Sequence, residues 1–134
     1  MSAWRRRANA AFPCLRVTDP NVTIYSLFVC LRRMEKIART TQNINMLQKI
    51  YRFAEWCSKQ PNASNLWDAA DVVFYQHLFD DRTADWEVAW QQVLCILSGD
   101  IINEKESLWK SRLTVEDWAC LEILLGWRVL AREL

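Results

Sequence analysis

From Ile24 to Ala38 an apolar side chain returns every three or four positions (Ile24, Leu27, Phe28, Leu31, Met34, Ala38), and similar spacing recurs along most of the chain. An α-helix turns once in about 3.6 residues, so this period lays one greasy stripe along one face and leaves Arg32, Arg33 and Lys36 mainly outside it. Leu47, Ile50, Tyr51, Ala54 and Cys57 make the next stripe. Trp86, Trp90, Val93, Leu94 and Leu97 make another. No stretch alternates with period two between turn residues, which argues against a sheet. The fold class expected is all-α: a compact antiparallel bundle or a short stack of helical hairpins, with five to six helices on short connections.

Punctuation sets the expected boundaries. Asp19 caps the first helix with Pro20 in its first turn, and polar residues 40–43 separate it from the second, which ends at Pro61 and Asn62. Asn65 caps "NLWDAADVVFYQHLFDD", residues 65–81, with Leu66, Trp67, Ala70, Val73 and Phe74 on one broad face and Tyr75 on the other side. Thr83 caps the next helix, and Gly99 supplies a left-handed stop. Residues 100–113 form a short helix carrying Leu108 and Trp109 into the core, and Thr114 with Asp117 opens the last helix. Gly126 lies inside that helix at a cost of about 1 kcal/mol relative to Ala. Residues 1–18 are basic, broken by Pro13 and without helical periodicity, so they read as a flexible arm before a single helical domain, 19–134.

Eight tryptophans supply large, stiff core area, so the core needs no metal or disulfide staple. The five cysteines, Cys14, Cys30, Cys57, Cys95 and Cys120, are odd in number and widely spaced, which fits reduced thiols in a cytoplasm. No apolar run is long enough to span a bilayer, and the basic start lacks the apolar core of a signal peptide, so the expected location is cytoplasmic with no membrane partner. The net charge of +1 hides an asymmetry: residues 1–60 carry 11 Lys and Arg against 3 Asp and Glu, and residues 61–134 carry 6 against 13. Halves that fold against each other and cancel are the favoured reading; a bipolar surface that orients partners or stacks copies head to tail is the other.

His77 is the only histidine and falls on the apolar face of its helix. It reads first as a core residue bonded to a carbonyl or a tyrosine hydroxyl, and second as a general base oriented by Asp80 or Asp81. Asp80, Asp81, Asp85 and Glu87 gather at one joint without the glycine that calcium loops require, so no metal is expected. Trp86 and Trp90, one turn apart, are candidates for a partner-binding surface, as is Trp4. Beside Trp4, Arg5, Arg6 and Arg7 join charge to an aromatic ring, which nucleic-acid contact would use. Phosphate-cradling and hydrolase motifs are absent, so no cofactor is expected.

The segment "FAEWCSKQPNASNLWDAADVVFYQHLFDD", followed by "LWKSRL", resembles small uncharacterised helical domains of bacteria, some found in settings similar to those of toxin-immunity proteins. The resemblance covers about half the chain, leaves the basic arm outside, and implies a non-enzymatic binding role. The function expected is therefore protein–protein association, as an adaptor, an inhibitor or an immunity-type antidote, with self-association as one form. A nucleic-acid accessory protein using the arm and an acid–base enzyme centred on His77 are the alternatives.

Overall fold

The computed structural model describes residues 1–80, 82 and 84–133, with side chains described through Arg128. Among these residues there are seven α-helices and no strand: α1 (Ala3–Ala11), α2 (Ile24–Thr40), α3 (Ile44–Ser58), α4 (Ser64–Ala69), α5 (Trp86–Ile96), α6 (Gly99–Arg112) and α7 (Val115–Glu133). They form two compact units, Met1–Tyr75 and Gln76–Leu134. The all-α expectation holds. The count is seven rather than five to six because residues 1–18, expected to lack helical order, contain α1.

The reason is visible in "AWRRRANAA". Alanine and arginine are among the strongest helix formers, and Trp4, Ala8 and Phe12 recur at steps of four. Ala8 and Phe12 are buried, and the Phe12 ring meets Phe53 of α3 edge-on at 6.0 Å. Pro13 breaks nothing, because it stands beyond the helix as the first residue of a 3₁₀ turn, Pro13–Leu15, where its missing N–H is not needed.

Arg5 reaches from α1 across the following loop. Its guanidinium donates to the carbonyls of Val17 (2.8 Å), Asp19 (2.9 Å) and Val22 (2.7 Å), so one side chain fixes three backbone acceptors outside any helix. Arg5→Ala is expected to lower stability by about 2 kcal/mol. Arg5→Lys should recover less than half of that, because an ammonium cannot present the planar fork. Urea unfolding of the three proteins measures this, and a loss in Arg5→Ala below about 0.5 kcal/mol would contradict the clamp.

The first unit is organised by α2. Its N-cap is Thr23, whose hydroxyl accepts from the Ser26 N–H while the Ser26 hydroxyl accepts from the Thr23 N–H; Asp19, the expected cap, instead accepts from the Asn21 N–H. The buried stripe is Ile24, Leu27, Phe28, Leu31, Glu35 and Ala38, so an acid takes the place the periodicity gave to Met34. On α3 the expected Leu47, Ile50, Tyr51, Ala54 and Cys57 are all buried, joined by Phe53. Burial pushes the Cys57 thiol up to about 12, which leaves it unreactive. Phe12, Phe53, Phe28 and Phe74 form a run of rings with centroids 5.7 to 6.0 Å apart through this core.

Residues 65–81 depart most from expectation. The helix begins at Ser64, without a side-chain cap from Asn65, and α4 ends at Ala69. A π-helical turn, Ala70–Phe74, and a 3₁₀ turn, Tyr75–His77, follow. Widening and then tightening the spiral breaks the constant rotation per residue that a helical wheel assumes. Tyr75, expected on the side away from the core, is fully buried, while Trp67 is exposed and Val73 half-buried.

In the second unit, Phe79 stands edge-on between Trp90 of α5 (5.3 Å) and Trp109 of α6 (5.0 Å), and all three are fully buried. The expected cap Thr83 lies outside the described residues. Gly99 is not a left-handed stop: no glycine has positive φ, and Gly99 opens α6 behind Ser98, whose hydroxyl accepts from the Ile101 N–H. Of residues 100–113, expected to hold a short helix, all but the C-cap Leu113 belong to α6, which has 14 residues. Thr114 caps α7 as expected, accepting from the Asp117 N–H.

Candidate docking surface

His77 follows the break in the helix, which turns it out of the apolar stripe and leaves its side chain 20% exposed. Its Nδ1 lies 2.5 Å from Asp80 Oδ2, and the Arg112 Nη2 donates to the same oxygen at 3.2 Å. A carboxylate only accepts, so the imidazole carries its proton on Nδ1. Of the two expected orienting acids the structure pairs His77 with Asp80; Asp81 lies outside the described residues. The partner is thus neither a carbonyl nor a tyrosine. Because the acid is shared with an arginine at the end of α6, the arrangement is a part-buried tie within the second unit. Among the described residues no group of three or more His, Cys, Asp or Glu is placed to hold a metal ion.

The aromatic and basic candidates separate. Trp4 is half-buried with the Arg5 guanidinium 4.5 Å from its ring, and Arg5 is committed to the loop carbonyls. Arg7 lies over Trp56 at 5.0 Å and Arg6 bonds the Met1 carbonyl, both at the surface. Trp86 and Trp90 do meet, edge-on at 5.0 Å, but Trp90 is fully enclosed, so only the half-buried Trp86, under Arg82, reaches the surface.

The most exposed large apolar surface of the second unit is on α7, where sequence reasoning had not placed it. Val115 is 87% exposed, Ile123 61% and Trp127 64%. At 100° per residue these three, with Ala119 and Gly126, share one side of the helix, and Leu121 and Leu124 are buried on the opposite side. A Cβ built on Gly126 would meet nothing within 4 Å. Among the described side chains the charged residues on this face are Glu116 and Glu122, both exposed. The signal was available, since α7 carries two apolar stripes where one suffices to bury a surface helix.

A second such face belongs to α2 of the first unit. Tyr25, Val29 and Ile37 are exposed along one side, Arg33 is exposed between them, and Arg32 and Lys36 lie on the same side. The Tyr25 hydroxyl donates to Asp68 at 2.9 Å, a bond that raises its pKa and fixes the ring at one end of the stripe. Exposed apolar residues are ordinary when scattered; here they range along one helix face.

No helix of the described residues is long and apolar enough to cross a membrane. A family model, a domain of unknown function (DUF7674), matches residues 6–94, which begins within α1, ends within α5 and leaves out α6 and α7. No curated protein and no solved structure matches the chain.

Proposed function

The chain belongs to the DUF7674 family of domains of unknown function, and on that premise we propose that it acts without chemistry of its own, by docking a protein partner, as an adaptor, an inhibitor or an immunity-type antidote in a bacterial cytoplasm. The observation that carries this reading is the exposed face of α7, with Val115, Ile123 and Trp127 in line and the open space over Gly126 beside them. A tryptophan flanked by aliphatic residues is the usual centre of a binding hot spot, because its area is large and it loses little rotamer freedom on contact. Keeping such a face in water is unfavourable by roughly 25 cal/mol per Å², and a partner that covers it recovers that free energy. Further support comes from His77 and Asp80, whose tie to Arg112 uses the one imidazole of the chain structurally.

The test is titration of a partner recovered with the full chain, using Trp127→Ser and, as a control, Val88→Ser at an exposed apolar position on α5. Trp127→Ser should weaken binding by about 2 kcal/mol, roughly thirtyfold, and Val88→Ser should leave it unchanged. Equal affinities in all three proteins would remove α7 as the surface.

A further inference from the structure

We infer that one partner of α7 is the α2 face of a second copy of this chain, so that copies associate head to tail. This rests on the reading of α7 as a docking surface and adds the identity of what it docks.

Two properties of the faces carry the inference. The first is charge. Among the described side chains, the exposed side of α7 bears Glu116 and Glu122 and no basic residue, whereas α2 itself sets Arg32, Arg33 and Lys36 and no acid on its exposed side. Glu35, the only acid of α2, points into the core with Arg39 paired to it. The charges that each helix itself sets beside its apolar stripe are thus of one sign, opposite between the two helices; the one acid at the α2 stripe is Asp68 of α4, already bonded to the Tyr25 hydroxyl. Two copies of α7 brought face to face would set acid beside acid, and two copies of α2 would set base beside base. Only the crossed pairing joins apolar to apolar and acid to base.

The second is register. On α2 the large exposed apolar residues are Tyr25, Val29 and Ile37, at steps of four and eight. Among the described side chains of α7 they are Val115, Ile123 and Trp127, at steps of eight and four. Each set spans 12 residues, about 18 Å at the α-helical rise. Read antiparallel, the second pattern becomes the first: Trp127 comes opposite Tyr25, Ile123 opposite Val29 and Val115 opposite Ile37. The fourth position then sets Ala119 opposite Arg33, which gives the long guanidinium side chain room to lie across the small residue. Glu122 then lies on the same flank as Arg32 and within one turn of it. A parallel pairing sets Arg33 against Ile123 and strands Val29 on Ala119.

The two faces differ, so the contact is heterologous. Each added copy leaves one α2 and one α7 face open, and the assembly grows unless its geometry closes a ring. One helix on one helix is smaller than a standard interface of about 1,600 Å², so the association should be weak, and its ionic part should weaken further with salt.

Sedimentation velocity on the full chain at low salt, up to about 0.5 mM, tests this. The wild type should show a mass that rises past the dimer with concentration and falls when salt is added. Ile37→Asp and Ile123→Asp, both at exposed positions and therefore able to fold, should each be monomeric, weakened about a hundredfold or more. Mixing the two restores one intact α2 and one intact α7 face, so the mixture should form a 1:1 heterodimer and grow no further. A wild type that stays monomeric overturns the inference, as does growth that stops at a dimer or an Ile37→Asp variant that assembles like wild type. In each of those cases binding of another protein that is still lost in Trp127→Ser leaves the proposed docking function standing, so the two failures are distinguishable.

Discussion

Phe79→Ala is expected to cost about 4 kcal/mol of stability and to remove most of the near-ultraviolet circular dichroism contributed by the second unit. Phe79 is fully buried and is the ring through which Trp90 and Trp109 are connected, meeting each edge-on. Truncation removes the transfer free energy of a large aromatic side chain, opens a cavity lined by two indoles, and abolishes two edge-to-face contacts of about 0.5–1.5 kcal/mol each. Phe79→Leu keeps most of the volume and should cost about half as much. Denaturant unfolding followed by tryptophan fluorescence gives the loss, and near-ultraviolet dichroism reports whether the indoles remain fixed. A loss under about 1 kcal/mol in the alanine variant, with the dichroism intact, would show that the aromatic run is not what holds this unit.

Glu35→Ala is the second large effect, at about 3 kcal/mol. Glu35 is buried in α2, accepts from the Tyr51 hydroxyl at 2.7 Å and pairs with Arg39 Nε at 2.6 Å. Alanine removes the acceptor of a buried phenol and the counter-charge of a nearly buried guanidinium together. Glu35→Gln retains an oxygen for Tyr51 and should cost about 1 kcal/mol. Burial holds the Tyr51 phenol well above its usual range, with the neighbouring carboxylate adding to the effect, so it stays a donor throughout.

Burial likewise raises the Glu35 carboxyl above its ordinary 4.5, although Arg39 and Tyr51 act in the opposite direction. Above 4.5 and below the raised value the native protein keeps a proton that the unfolded chain has released. Stability from this group therefore falls as pH rises through that window, the reverse of an ordinary paired carboxylate. Wild type should gain on Glu35→Gln as the pH is lowered from neutral toward 4.5. Melting temperatures of the two proteins across that range measure the change, and a gap that stays constant or narrows on acidification would contradict it.

The periodicity of α3 was legible almost completely, because every member of its expected stripe is apolar and buried. That of α2 was legible except at Glu35, where a charged residue takes a core position on the strength of partners 4 and 16 residues away. Residues 65–81 were misread for a different reason. The pattern there is apolar nearly all round, so nothing in it marks where rotation per residue changes, and one π turn moves every later side chain off its expected bearing. Residues 1–18 hid a helix behind arginines and a proline, since Arg5 does its structural work through carbonyls that no pattern of side chains displays. The exposed apolar faces of α2 and α7 were obscured by the habit of assigning apolar residues at helical spacing to the interior. The charges beside them carried the information, and on α7 they are acidic where on α2 they are basic.

Gly126 puts two selective demands in opposition. Alanine there would find open space and strengthen the helix by about 1 kcal/mol, so a chain refined for ruggedness alone has an easy improvement within reach. What glycine retains is a stretch of backbone beside the exposed Trp127 with no Cβ in front of it, open to a closer approach than alanine would allow. Thermal robustness and closeness of approach thus trade against each other at a single backbone position.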